Sequence, residues 1–305
     1  MKSANCPTLN EVSLDHTGHF VPDVEAARAA LVDLGFTVTP FSAQVQPDPE
    51  TGQELLTGTG NICVMLPQGY IEVLAHTADT PIGLEFKAAL NLRAGLHLSA
   101  FGVADAASRH AELVRDGLDM RPLVHFSREV ETDDGHETAA FTVARLAAGK
   151  MPEGRVQILT HHTVSTMWQP RWTHHANRAQ ALQGLIVSSP DPAGAAARFG
   201  RFLGRQPEPF RESGPLKEGL RISLDHGAVD FLPEPVATDL VGVAVDPGQS
   251  CFVGLRIAVS DMSALSALGG RPEARQIGSS IALPFAPALG TGLWIFETAQ
   301  GGSAG

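Results

Sequence analysis

Three cysteines, one tyrosine and three tryptophans in 305 residues leave this chain short of several common structural devices. Cys6, Cys63 and Cys251 are odd in number and widely spaced, which excludes a disulfide framework or a zinc ribbon and favours a reducing compartment. No apolar run is long enough to cross a bilayer, and no basic start leads into an apolar core of signal-peptide type. With a net charge of −11 and no Lys/Arg-rich run, the chain lacks the basic footprint that nucleic acid or an anionic membrane requires. The expectation is a cytoplasmic protein whose partner is a small molecule, with association into a homodimer left open.

What the chain has is repetition. Gly69 to Thr77 reads GYIEVLAHT and returns, with drift, at Gly154 to His162 as GRVQILTHH. Each copy closes a run with the order β-α-β-β-β. The first opens with a strand at 14–21 and enters a helix capped by Asp23, where Val24, Ala27, Leu31 and Leu34 make one apolar face. Gly35 ends that helix, and strands are predicted at 36–41, 61–66 and 70–75. The second module has strands at 96–103, 123–130, 140–146 and 155–160 around a helix at 105–115. The third begins at 182–187 and carries Ala196, Phe199, Phe202 and Leu203 on its helix, with strands at 220–224 and 228–232. The fourth begins at 252–259, caps at Asp261 and ends in strands at 280–284 and 293–296.

The fold class is therefore α+β, four βαβββ modules paired into two half-barrel domains. The first domain covers 9–162 and the second 181–299. The polar stretch 163–180, where hydrophobic periodicity lapses, is the linker. Gly58-Thr59-Gly60 precedes a strand instead of opening a helix, so it reads as a turn and not as a phosphate loop. Asp133 to His136 reads as a hairpin turn.

The paired modules, the opening LDHTGHFVPD and the closing GYIEVL resemble the vicinal oxygen chelate superfamily, in its glyoxalase-like branch, over nearly the whole chain. That superfamily spans glyoxalase I, extradiol dioxygenases, fosfomycin-resistance enzymes and metal-free bleomycin-binding proteins, so fold alone does not settle function. In its enzymes each module sends ligands from its first and last strands to a metal in the cup. The resemblance implies His16 and Glu72 from the first module, with His97 and Gln157 from the second, as ligands of a divalent ion. Zn, Ni, Fe and Mn all suit such N/O donors. Aligning Asp105 with Asp23 places Leu98 opposite His16, so His97 is one residue out of register and needs a bulge or a changed turn length to face the cup. In the second pair Gly184 and Gly254 fall at the first-strand position and Asp230 alone matches Glu72, which implies a structural or lid role without metal.

Tyr70 shares a strand face with Glu72, and the two are the candidate catalytic pair, the phenol as a proton donor or else as a wall residue. Arg145, Arg155 and the strand-end His161 are candidate pocket residues. Either arginine could hold a substrate carboxylate or lie solvated at a strand end. The remaining histidines of the 161–175 stretch fit no zinc motif, and Trp168 and Trp172 are expected to pack between the domains. The implied activity is that of a metal-dependent isomerase or lyase acting on a small oxygen-bearing organic compound. A dioxygenase is disfavoured by Gln157, which stands where the family's iron enzymes carry a carboxylate. The alternative is a metal-free sequestering protein of the bleomycin-resistance type.

Overall fold

The computed structural model describes residues 5–48, 51–133, 135–211, 216 and 218–299. Strand β1 (Val12–Phe20) leads into helix α1 (Val24–Asp33) and strands β2 (Ser42–Pro47), β3 (Glu54–Met65) and β4 (Tyr70–His76). After helix α2 (Pro81–Leu92) the pattern repeats as β5 (Gly95–Val103), α3 (Ala106–Arg115), β6 (Val124–Thr132), β7 (Gly135–Arg145) and β8 (Arg155–His161). These strands form one sheet in the order β2-β3-β4-β1-β5-β8-β7-β6. Each module lays its last strand parallel to its first, and β1 meets β5 antiparallel at the centre.

A short helix, α4 (Val164–Met167), and a 3-10 turn at Pro170–Trp172 lead to the second half. There β9 (Ala179–Ser189), α5 (Pro192–Leu203), β10 (Glu208–Arg211), β11 (Glu218–Ser223) and β12 (Ala228–Pro233) precede α6 (Glu234–Val241). The fourth module follows as β13 (Cys251–Val259), α7 (Ser266–Gly269), β14 (Arg275–Ile277), β15 (Ser280–Pro284) and β16 (Leu293–Thr298). The order β10-β11-β12-β9-β13-β16-β15-β14 copies that of the first sheet. Among the described residues no helix is long and apolar enough to cross a membrane.

The four modules share a finer signature. Asp23, Asp105, Asp191 and Asp261 each accept backbone N–H bonds as N-caps. Eight residues before each cap the ladder skips one residue, at Asp15, His97, Gln183 and Val253. A bulge therefore bends every first strand at the same place, and the third module carries a further skip at Gln180.

Several expectations are corrected. The predicted strand at 36–41 is absent, and pairing starts at Ser42. The backbone there is engaged elsewhere: Phe36 N–H closes the end of α1 on the Leu31 carbonyl, and Thr37 N–H donates to His175 Nδ1 at 3.0 Å. Gly58-Thr59-Gly60 is not a turn but the middle of β3. Gly58 adopts φ +80°, and a Cβ there would collide with the Ala78 carbonyl, as one on Gly60 would with the Phe41 ring. The hairpin at 133–136 joins β6 to β7 as expected, with Thr132 opposite Gly135, and Asp134 lies outside the described residues. The linking helices α2 and α6 are additional to the predicted elements. Thr80 caps the first by accepting from Gly83 N–H, and both carry proline in the first turn.

The two cups differ in filling. In the second, α6 delivers Ala237, Leu240 and Val241 against Ile186, Leu232, Leu293 and Ile295. Asp230, fully buried, is bridged there by Arg221 and Arg256, and Arg256 also pairs with Glu297. The convex faces of both sheets share one core. Within it His19 is buried between Phe285 and Trp294, and neither ring nitrogen has a hydrogen-bond partner among the described residues. Burial, then the charges of Arg93 and His97, lower its pKa from 6.5 to about 3.

That shift makes acid stability testable. Between pH 6.5 and 3 the unfolded chain binds a proton at His19 that the folded chain refuses, so stability is full above 6.5 and falls as pH drops through this window. The slope contributed is up to about 1.4 kcal/mol per pH unit. Urea denaturation of His19→Phe is expected to show a flatter profile than wild type between about pH 6.5 and 5, above the ordinary carboxylate titrations; parallel profiles would contradict this role for His19.

Candidate functional site

A cavity of about 170 Å³ occupies the cup of the first sheet. Its polar wall on the first-module side carries His16, Gln44, Asn61, Tyr70 and Glu72, and the second module adds Arg145, Arg155 and Gln157. Leu98, Leu159, Phe126 and, from α2, Phe86 supply apolar surface.

His16 owes its setting to the first bulge. Strict alternation would send Asp15 and His16 to opposite faces, but β1 skips Asp15 in its pairing with β5, and the Asp15 carboxylate reaches His16 Nδ1 at 2.7 Å. The other side of the same carboxylate takes His161 Nε2 at 3.2 Å. Burial would raise the Asp15 pKa, yet His161 and His16, by charge and hydrogen bond, hold it well below the usual carboxylate range. An ionised carboxylate only accepts, so both imidazoles donate to it. In the neutral imidazole this hydrogen bond puts the lone pair on His16 Nε2, and the ring stacks on Tyr70 at 4.3 Å between centroids.

Glu72 sits one step along the cup. Tyr70 is level with His16 in the sheet, and Glu72 is level with Gly18. Its Oε1 accepts from Asn61 Nδ2 at 2.5 Å and Gln44 Nε2 at 3.1 Å. The Thr59 hydroxyl donates to Gln44 Oε1 at 2.6 Å, which orients that amide toward Glu72.

The structure brings His16, Tyr70, Glu72, Gln157, Arg145 and Arg155 to one cavity and sends two expected residues elsewhere. His97 has its bulge, but its Nε2 donates to the Arg93 carbonyl at 2.6 Å and its ring stacks on Phe20 at 4.8 Å, facing a different cleft. Phe20 packs in turn on Phe86 of α2 at 4.4 Å, so aromatic rings fill the path from His97 to the first cavity. Burial, then the Arg93 charge, lower its pKa to about 4. His161 lies behind the wall as the second partner of Asp15, 4.9 Å from Trp168.

Among the described residues no three His, Cys, Asp or Glu side chains converge to hold a metal. Catalytic zinc ordinarily takes three protein ligands plus water. With His97 turned away, the cavity offers one imidazole, one carboxylate already bonded to two amides, the Cys63 thiol and the neutral Gln157, and the imidazole, carboxylate and thiol do not converge as a metal-holding group. This donor set does not fit a catalytic divalent ion.

The stretch after β8 closes the same cavity instead of packing between the halves. Met167 lines it, Trp168 Nε1 donates to the Leu66 carbonyl at 3.0 Å, and the Trp168 ring meets Tyr70 edge-on at 5.8 Å. His175 is satisfied, accepting from Thr37 and donating to the Met65 carbonyl. Asp15, Gln44 and Asn61 escaped sequence reasoning. The adjacent Asp-His pair was a signal, hidden because strand alternation places neighbours on opposite faces.

The glyoxalase-like domain family matches residues 14–203. The chain belongs to that family. This glyoxalase-like chain also superimposes on solved structures at low identity. A hypothetical protein from Staphylococcus aureus gives a TM-score of 0.64 at 10% identity, covering 94% of this chain and 100% of that one. A mutant of 4-hydroxymandelate synthase from Streptomyces coelicolor gives 0.55 at 13%, covering 95% and 94%. A xylose isomerase-like TIM barrel/4-hydroxyphenylpyruvate dioxygenase fusion protein gives 0.56 at 9%, covering 100% of this chain and 51% of that one. At such identities the likeness is one of fold. No curated protein matches the glyoxalase-like chain.

The buried Asp15 carries a stability cost when replaced. Asp15→Asn leaves two imidazole N–H groups facing an amide, and urea unfolding is expected to show a loss of about 3 kcal/mol. A loss under about 0.5 kcal/mol, the range of an ordinary surface change, would refute the buried pair.

Proposed function

We propose that this chain is an enzyme performing acid–base chemistry, of isomerase or lyase type, on a small oxygen-bearing organic substrate in the first cup. The observation that carries the proposal is the hydrogen bond from His16 Nδ1 to the buried Asp15, which leaves Nε2 as a base at a cavity wall. His16 takes the proton from a carbon next to a carbonyl. Tyr70 and Gln157 offer O–H and N–H donors to the carbonyl oxygen on which charge then develops. For isomerisation Glu72 takes the proton of the adjacent substrate hydroxyl and passes it to the enolate oxygen while His16 returns its proton to the former carbonyl carbon; for elimination His16 gives its proton to the departing oxygen. In this reading residues 9–162 form the reacting domain and 181–299 the covering one.

Superfamily enzymes often carry a divalent ion, but the imidazole, the carboxylate occupied by two amides and the Cys63 thiol of this cup do not converge, and with a neutral glutamine they make too weak a donor set to hold it. A second reading, a metal-free sequestering protein, is favoured by the two amide bonds that occupy Glu72.

Incubation of a panel of α-hydroxy and α-keto compounds in deuterium oxide, followed by proton NMR, is expected to show loss of an α-proton signal. His16→Asn should slow that exchange by about 10²- to 10⁴-fold. Binding without exchange across the panel would support sequestration. Elemental analysis of protein purified without chelator is expected to find well under one equivalent of divalent metal. A full equivalent, lost in Glu72→Gln, would overturn the metal-free form of the proposal.

A further inference from the structure

A second cavity of about 690 Å³ lies where the first half meets the second, walled on the far side by Asp246, Gln249, Ser250 and Cys251. Arg145 and Arg155 line both cavities, so their guanidinium groups form a shared partition. The charges around this partition do not balance. Arg93 is taken by Asp246 at 2.7 Å, and Glu153 is taken by Arg198. Glu85 accepts from Arg121 at 3.2 Å and lies 4.0 Å from Arg155. Its one charge thus serves Arg121, Arg145 and Arg155, with Glu72 acting on Arg155 only through space. Arg145 forms no ion pair among the described residues, and its Nε is buried without a hydrogen-bond partner. Burial lowers the pKa of both partition arginines, and neighbouring guanidinium groups add to the effect, Arg155 on Arg145 and Arg121 on both.

Uncompensated guanidinium charge at a partly buried wall calls for an anion, and a chain with net charge −11 has no general excess of cations to explain it. The small cavity next to that wall holds about 170 Å³ edged by Phe86, Leu98, Phe126 and Leu159. An engineered apolar cavity of about 150 Å³ admits benzene. Space for one six-membered ring therefore adjoins a cationic pair suited to a planar anion.

We infer that the ligand of this cup is a small organic monocarboxylate, its carboxylate held by Arg145 and Arg155 and its single-ring apolar body in the cavity beside His16. The ligand enters through the cleft between the two halves, which gives the second half a part in recognition. The inference deepens the function proposed above and rests on it for what happens to the ligand, while the binding itself stands apart from the chemistry.

Isothermal titration with phenylacetate, phenylacetamide and phenyl phosphate tests it. Wild-type protein is expected to bind phenylacetate at least about tenfold more tightly than the isosteric amide. Arg145→Met and Arg155→Met should each erase that preference while leaving weak amide binding. Arg145→Lys keeps a charge without the fork and should retain part of it, which covers the case of a methionine variant that fails to fold. Equal binding of acid and amide, or an undiminished preference in either methionine variant, overturns the inference. Tighter binding of phenyl phosphate than of phenylacetate overturns the carboxylate assignment. The two readings fail separately. An acid preference without proton exchange on any compound sinks the enzyme and keeps the carboxylate site, whereas exchange on neutral substrates with no acid preference does the reverse.

Discussion

The site of this protein depends on one buried carboxylate. Asp15 is brought beside His16 by a bulge in the central strand of the first sheet, and it carries two imidazoles that would otherwise compete for water. A lone ionised carboxylate in that position would cost several kcal/mol, and the two N–H donors offset the cost. The consequence is geometric: with Nδ1 committed to Asp15, the His16 ring is held against Tyr70 and its other nitrogen is left to the cavity. The same bulge recurs in every module with different occupants, and in His97 it aims the ring at a backbone carbonyl. Shared backbone geometry and divergent chemistry are thus separable in this fold.

The two cups show this separation in opposite senses. Asp230 stands in its module where Glu72 stands in the first, each on a last strand and level with the residue five before the capping aspartate. Asp230 is locked by Arg221 and Arg256, and α6 packs aliphatic side chains over the remaining space. Glu72 accepts from the amides of Gln44 and Asn61, neutral donors, and no arginine pairs with it among the described residues. Equivalent carboxylates have become a structural clamp in one half and a cavity wall in the other. Two neighbours mark the difference: Arg221 lies opposite Asp230 where Cys63 lies opposite Glu72, and Arg256 stands five residues before the cap of the fourth module, the place that the small Ala100 holds in the second.

Helix α2 links the two cavities. It supplies Phe86 to the small one and Glu85 to the cleft, with Arg145 and Arg155 between. Its counterpart α6 occupies the matching link in the second half and fills that cup instead. The open cup is therefore that of the first sheet, and the second half contributes the far wall of the adjoining cleft.

Repetition and periodicity were enough to read the four modules, their pairing and the aspartate caps, because those features are local: spacing along the chain sets helix faces, and alternation sets sheet faces. The placement of His16 and Glu72 in one cup came instead from the resemblance to the vicinal oxygen chelate superfamily, since periodicity does not say which strands are neighbours. Strand 36–41 and the glycine turn at 58–60 were misread because distant partners, His175 for Thr37 and Ala78 for Gly58, decide those backbones. The bulge that unites Asp15 with His16, the turn of His97 toward Arg93, and the sharing of Arg145 and Arg155 between two cavities were settled by tertiary structure alone. Each depends on side chains far apart in sequence competing for one small volume, and no periodicity along a chain records which of them wins.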